Sequence, residues 1–335
     1  MQDKTKIGLV ASEIEGLWIS YMNDSMAACV IKYFLNRVED EEVRQILQHA
    51  LDISNGHIQL VTNVFNQEEL PIPQGFTDND VNIAAPRLYD DSFYLFYLIN
   101  MAQVGMGAYT LVLNHIARSD IRDFYSNCIS ESVNLYNTLA DTMMSQGIFI
   151  RAPRVEVPKD IDFIKDQNFF SGGMLGRKRT LLTREITSIF ASLRFNIIGG
   201  ALITGFAQVA KSKKVSDYFF RGRDIAGKKI KTLTNILTDD NVPIPSTSNS
   251  FVTDSTTAPF SDKLMMYHVS ILNTGSLAME GTSLSVALRH DLQAYYVGAM
   301  AGTGRYAEDG LDILIKNQWM EQPPQSIEHK NLVKI

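Results

Sequence analysis

One stretch of this chain occurs twice. Residues 52–73, DISNGHIQLVTNVFNQEELPIP, align without a gap on residues 224–245, DIAGKKIKTLTNILTDDNVPIP, at a shift of 172. Eight of the 22 positions are identical: Asp52/Asp224, Ile53/Ile225, Ile58/Ile230, Thr62/Thr234, Asn63/Asn235, Pro71/Pro243, Ile72/Ile244 and Pro73/Pro245. Average residue usage would give about one or two. Most of the rest exchange like for like, as in Val61/Leu233 and Val64/Ile236. A repeated apolar pattern with a repeated proline exit restricts the fold to two copies of one unit.

The alignment extends in both directions. Upstream it places Glu13-Ile14 on Glu185-Ile186; downstream the shift becomes 173 at Ala85-Pro86/Ala258-Pro259 and 171 from Asp91/Asp262 onward. That last register carries Arg118-x-Asp120 onto Arg289-x-Asp291 and Tyr125 onto Tyr296. The domains expected are residues 1–158 and 181–335, with a linker at 159–180 whose Phe163, Phe169 and Phe170 are expected to pack against one bundle.

Start and stop signals divide each unit into four helices. Ser12-x-x-Glu15 reads as a capping box for helix A, with Thr183 as the cap in the second copy, and Glu13 and Glu185 in the first turn favour the helix dipole. Asp40 and Ser212 cap helix B, which runs to about Asn66 and Thr238 before the Pro-x-Pro exit. About twenty residues precede the caps Asp90 and Ser261 of helix C, too many for adjacent antiparallel helices. A short turn at Arg118-x-Asp120 or Arg289-x-Asp291 then leads to helix D. Short A–B and C–D turns with one long B–C crossover predict an all-α fold of two tandem ferritin-like four-helix bundles.

With 45% hydrophobic residues, 20% charged and a mean hydropathy of −0.06, the 335-residue chain can bury two ordinary cores. A net charge of −6 argues against nucleic acid or anionic membrane as a general partner. The basic triplet Arg177-Lys178-Arg179 reads as solvated charge in a loop. The uncharged run 93–113 is long enough for a membrane span, but its counterpart 264–284 carries His268, Asn273 and Glu280, so a buried core helix is expected and no membrane span. No leader segment is expected at the N-terminus. Cys29 and Cys128 align with Ala201 and Ala299, which predicts core thiols in a reducing compartment.

A di-iron bundle needs glutamates on two helices and Glu-x-x-His on the other two. No Glu-x-x-His occurs, so neither bundle is expected to bind iron or manganese stoichiometrically, and no cofactor, catalytic residue or metal ligand is assigned. His49 and Asp52 read as an i,i+3 ion pair, aligned with Arg221 and Asp224. None of the histidines repeats; His57 aligns with Lys229, and His329 lies in the tail. The polar pairs retained in both copies are Arg118/Asp120 and Arg289/Asp291, read as caps with a charge neighbour, the arginine being the candidate anion contact. His268 and Glu280 are the remaining interior candidates; twelve residues apart on one helix, they do not share a narrow stripe.

The segments FSDKLMMYH (260–268), GFAQVAKS (205–212) and WMEQPP (319–324), with LPIP (70–73) and APRL (85–88) in the first copy, closely resemble a family of tandem-repeat proteins from spore-forming bacteria. The resemblance covers nearly the whole chain. It implies a ferritin-like fold, and members are sometimes labelled spore coat proteins by similarity; it brings no catalytic residues. Gln318 departs from it by standing where a glycine precedes the tryptophan, as Gly147 does in the first copy. Two functions are therefore expected in competition. One is a non-enzymatic structural or interaction protein, cytoplasmic and spore-associated. The other is a ligand-binding or metal-dependent protein that uses the bundle interior. The apolar faces of 195–210 and 93–113 exceed what one bundle buries, so the two bundles are expected to pack on each other through helices A and C, with a protein partner or a second copy as further contact.

Overall fold

The computed structural model describes residues 7–171, 178–244 and 251–326. Eight α-helices fall within them: α1 Ala11–Leu35, α2 Glu41–Gln67, α3 Asp91–Leu113, α4 Ser119–Ser145, α5 Thr183–Val209, α6 Lys213–Asp239, α7 Asp262–Val286 and α8 His290–Lys316. No strand is present among the described residues, so the chain is all-α and forms two tandem four-helix bundles, α1–α4 and α5–α8. Pro245, Arg177 and His329, each used in the sequence argument, lie outside the described residues.

Cross-helix hydrogen bonds fix the helix directions. The backbone N–H of Asp40, at the start of α2, donates to Asp91 at the start of α3 (2.8 Å), while Glu68, at the end of α2, accepts from Arg118 at the start of α4 (2.5 Å). Helices α2 and α3 therefore run parallel. The second bundle repeats this: Ser212 N donates to Asp262 (2.8 Å), and Asp240 accepts from Arg289 (2.6 Å). The first crossover climbs along α1, where the Ser25 hydroxyl accepts from Phe76 N and Tyr33 donates to Pro86 O.

Helix ends depart from expectation in detail. The cap of α1 is Val10, not Ser12, and that of α5 is Leu182, not Thr183; Glu13 and Glu185 reach back to the cap N–H at 2.9 Å in each case. The Ser12 hydroxyl instead donates to His115 O (2.8 Å). Helix C ends at Leu113 and Val286, so a few residues of turn separate it from Arg118 and Arg289. Gln318 takes the left-handed conformation of Gly147 (φ 57° and 70°), so the α8 terminus keeps its shape without glycine, at the steric cost of a side chain there. Phe163 is exposed rather than packed, whereas Phe169 lies under the Arg179 guanidinium (4.3 Å) and Phe170 stacks on His290. The α3 helix is buried through Ala102 and then opens, Leu111 being 68% exposed. Both α3 and α5 are long and apolar enough to cross a membrane by length and composition; here each packs on neighbouring helices.

The two bundles meet through their crossovers. Isolated antiparallel bridges join Val81 to Phe260 and Tyr89 to Val252. Their hydrogen bonds come in pairs related by the shift of 171. Asn82 N donates to Pro259 O (2.7 Å) and Thr253 N to Leu88 O (3.0 Å); Asp90 N donates to Phe251 O (3.1 Å) and Ser261 N to Asp80 O (2.9 Å). Each half gives the other what it receives, the signature of a pseudo-twofold contact. In this register Pro259 occupies the place of Leu88, so the 173 offset expected at Ala85-Pro86 does not hold. Behind the bridges Tyr89, fully buried, donates to Leu202 O in α5 (2.7 Å), Tyr33 packs edge-on against Phe260, and Tyr267 donates to Asn23 (3.1 Å).

Candidate functional site

Three groups of buried polar side chains stand out. The first is the pair of clasps at the C–D turns. Arg118 is 4% exposed and Arg289 0%. Arg289 grips Asp291 with two parallel bonds (3.0 and 2.7 Å) and spends its remaining nitrogen on Asp240 and Arg179 O; Arg118 does the same with Asp120, Glu68 and Ile7 O. The first-turn glutamate completes each clasp: Glu13 accepts from the N–H of Ala117 and Arg118, and Glu185 from those of Leu288 and Arg289. Burial opposes ionisation of Glu185, but the Arg179 guanidinium and backbone N–H groups prevail and hold its carboxyl at about 2. These arginines are saturated by protein partners, so the candidate anion contact is a structural tie between helices A, B and D. The two described members of the basic triplet are spent likewise: Arg179 on Glu185, Lys178 toward Asp239.

The second group sits at mid-height in each bundle. In the first, His57 on α2 is 7% exposed and bonded on both nitrogens: Nδ1 to Asp24 of α1 (3.2 Å), Nε2 to Glu131 of α4 (2.8 Å). Cys128 Sγ lies 3.4 Å from the same Nε2. Cys128 and Glu131 are three apart on α4 and so share one face. Tyr109 and Phe124 meet the imidazole edge-on and fix its plane. Burial works against a charge on His57, but the Asp24 and Cys128 hydrogen bonds outweigh it and raise it to about 11, so the ring is an imidazolium between two carboxylates; burial pushes the Cys128 thiol up. The second bundle fills the same level with Lys229, whose ammonium contacts Glu280 (2.5 Å), Thr303 (2.7 Å) and Ser276 (3.1 Å).

The third group is His268, which leaves Glu280 far behind on α7 and reaches the bundle–bundle interface. Its Nε2 lies 3.4 Å from Tyr97 OH, its Nδ1 has no hydrogen-bond partner among the described residues, and burial lowers it to about 3, so it is neutral. It borders a cavity of about 130 Å³ between α1, α3, α5 and α7. His49 and Asp52 are exposed and do not pair: Asp52 accepts from Gln48 (2.9 Å), and Arg221 pairs with Asp309. Cys29 and Cys128 are free and buried.

The His57 cluster was missed because repetition was the test applied and His57 aligns with a lysine. The signal lay in the joint replacement: Asp24, His57, Cys128 and Glu131 become Asn196, Lys229, Ala299 and Gly302.

Fold and site together define a helical protein of two fused, pseudo-symmetric four-helix bundles with unlike polar interiors. The chain belongs to the family described as "Protein of unknown function (DUF3231)", whose model matches it twice, over residues 1–161 and 169–332. Among solved structures it is similar to a Bacillus halodurans C-125 protein described as a "putative spore coat protein", at 13% identity and a TM-score of 0.42, covering 46% of this chain and 100% of that one. The comparison with curated proteins finds no match.

Proposed function

We propose that the chain is a non-enzymatic interaction protein: a rigid body of two ferritin-like bundles that presents the segment between them to a protein partner. The observation that carries this reading is the apolar exposure of that segment, Val157 at 86%, Ile161 at 89%, Phe163 at 77% and Ile164 at 55%. Large apolar side chains close together in a segment that is neither helix nor strand are a recognition element when no described residue covers them. The arginine clasps support the reading, since their charges are consumed in holding the bundles together. The ferritin-like assignment rests on the parallel course of α2 and α3. Residence in the cytoplasm of sporulating cells, with association to the spore, belongs to the same proposal and rests on the sequence resemblance.

A photo-cross-linking residue at Ile161 or Phe163, compared with one at exposed Asp312, tests it in the producing cell. A discrete adduct with one protein, or with a second copy, is expected at 161 and 163 only. Equal labelling at all three positions, or none, refutes the reading. Fractionation of sporulating cells tests the setting; a chain confined to vegetative cells removes the spore from it.

A further inference from the structure

We infer that the first bundle is a binding site for one divalent ion of the zinc class, held by His57 Nε2, Cys128 Sγ and a carboxylate oxygen of Glu131. The three donor atoms lie within 4.8 Å of one another. Zinc bonds of about 2.0–2.3 Å set tetrahedral donors about 3.3–3.8 Å apart. The His57–Cys128 separation of 3.4 Å is already there; the His57–Glu131 separation of 2.8 Å has to widen and the Cys128–Glu131 pair, within 4.8 Å, has to settle to the same spacing, both by a small movement of the Glu131 side chain, which is 41% exposed. That exposure also provides the entry path and the open fourth position, which a water would take.

The surroundings are those of a built metal site. Asp24 holds His57 Nδ1, so Nε2 is the nitrogen turned to Cys128 and Glu131; a carboxylate behind a histidine fixes tautomer and orientation in the same way at many metal centres. Asp24 is thus a positioning residue and not a ligand. Nitrogen, sulfur and oxygen together select a borderline ion such as Zn²⁺ over Mg²⁺, Ca²⁺ or Mn²⁺, which prefer oxygen alone. Binding displaces the His57 Nε2 proton and the Cys128 thiol proton, both released to solvent. The second bundle is the internal control. All four positions change together there, and an ammonium with its own glutamate occupies the level. A mere surface of convenient donors would have no reason to be lost as a set.

The test uses the purified full chain loaded with Zn²⁺ or with Co²⁺ and then desalted. One ion per chain is expected, and Co²⁺ should show a thiolate-to-metal charge-transfer band with the visible absorption of a tetrahedral ion. Cys128→Ala, a residue the second bundle tolerates at Ala299, should abolish the band and the stoichiometric zinc. Asp24→Asn, the residue found at Asn196, should weaken affinity about 10–100-fold and keep the band, a separation that loss of fold cannot produce. Two ions per chain, zinc retained equally by Cys128→Ala, or a folded wild-type protein with neither zinc nor the cobalt band would each overturn the assignment. None of these outcomes bears on the cross-links at Ile161 and Phe163.

Discussion

Gly205 lies inside α5, where glycine costs about 1 kcal/mol relative to alanine. Its reason is Tyr89 of the other bundle. A Cβ built on Gly205 would stand 2.6 Å from Tyr89 Cζ and closer still to the hydroxyl oxygen. Tyr89 has no room to swing aside: it is fully buried, stacked on Phe93 with centroids 4.2 Å apart, and bonded to Leu202 O. Gly205→Ala should therefore cost about 1–3 kcal/mol in overpacking, offset by up to about 1 kcal/mol of helix gain, for a net loss of about 1–2 kcal/mol. Gly227, mid-helix in α6 with nothing within 4 Å of its would-be Cβ, is the control; Gly227→Ala should gain about 0.5–1 kcal/mol. Urea unfolding followed by circular dichroism reads both, and the unfolding slope should stay constant. In a Tyr89→Ala background the clash is gone, so adding Gly205→Ala should then stabilise as Gly227→Ala does. Gly205→Ala matching Gly227→Ala in the wild-type background would refute the contact.

Three further perturbations test the buried polar groups and the interface. His268 sits at about 3 in the fold against its ordinary 6.5, so the unfolded chain takes up a proton first: stability is intact above pH 6.5 and falls by about 1.4 kcal/mol per pH unit below it, toward pH 3. His57, raised to about 11, has the opposite sign and loses its contribution only as pH rises from 6.5 through 11, so it adds no slope to the urea midpoints between pH 5 and 6, where His268→Phe should make the pH dependence shallower than in the unsubstituted chain. Glu185, at about 2 against its ordinary 4.5, contributes on the order of 3 kcal/mol above pH 4.5 that is lost as pH falls toward 2; Glu185→Gln should show a lower plateau and a shallower acid limb. Leu202→Asp buries a charge at a position 2% exposed between the bundles and should cost at least about 3 kcal/mol, read as lost soluble yield or an earlier urea midpoint; an unchanged midpoint would mean that face is open.

The helices were legible because the chain states them twice, with Asp40, Asp90 and Ser261 at their caps and Pro-x-Pro at the end of helix B. Cap positions one or two residues off, as at Ser12 and Thr183, reflect rivalry between hydroxyl and carboxylate for the same N–H groups, which Glu13 and Glu185 win. The clasps were visible as retained Arg-x-Asp pairs, but their partners Glu13, Glu68, Glu185 and Asp240 come from other helices, and no local spacing points to them. The His57 cluster lies further out of reach: its members stand at positions 24, 57, 128 and 131 and meet only when three helices pack. Periodicity reports which face is apolar and leaves open which polar residues end at the same height. The crossover bridges were equally hidden, because the pairing segments 80–90 and 251–261 are short, irregular and joined by just two isolated bridges.

The pairing of the crossovers also sets an order on how the chain is made. Val81 pairs with Phe260 and Tyr89 with Val252, partners more than 160 positions downstream, so these contacts close long loops. During synthesis the first bundle has its four helices long before residue 251 exists. Through that interval the N–H groups of Asn82 and Asp90 have no acceptor from the second half, and Tyr89 has no α5 to bury its ring against. The nascent protein thus passes through a stage in which one half carries an open, self-complementary edge, and a second nascent copy on the same message presents the same edge. Covalent fusion of the two halves answers that hazard by supplying the correct partner at high effective concentration as soon as it is made.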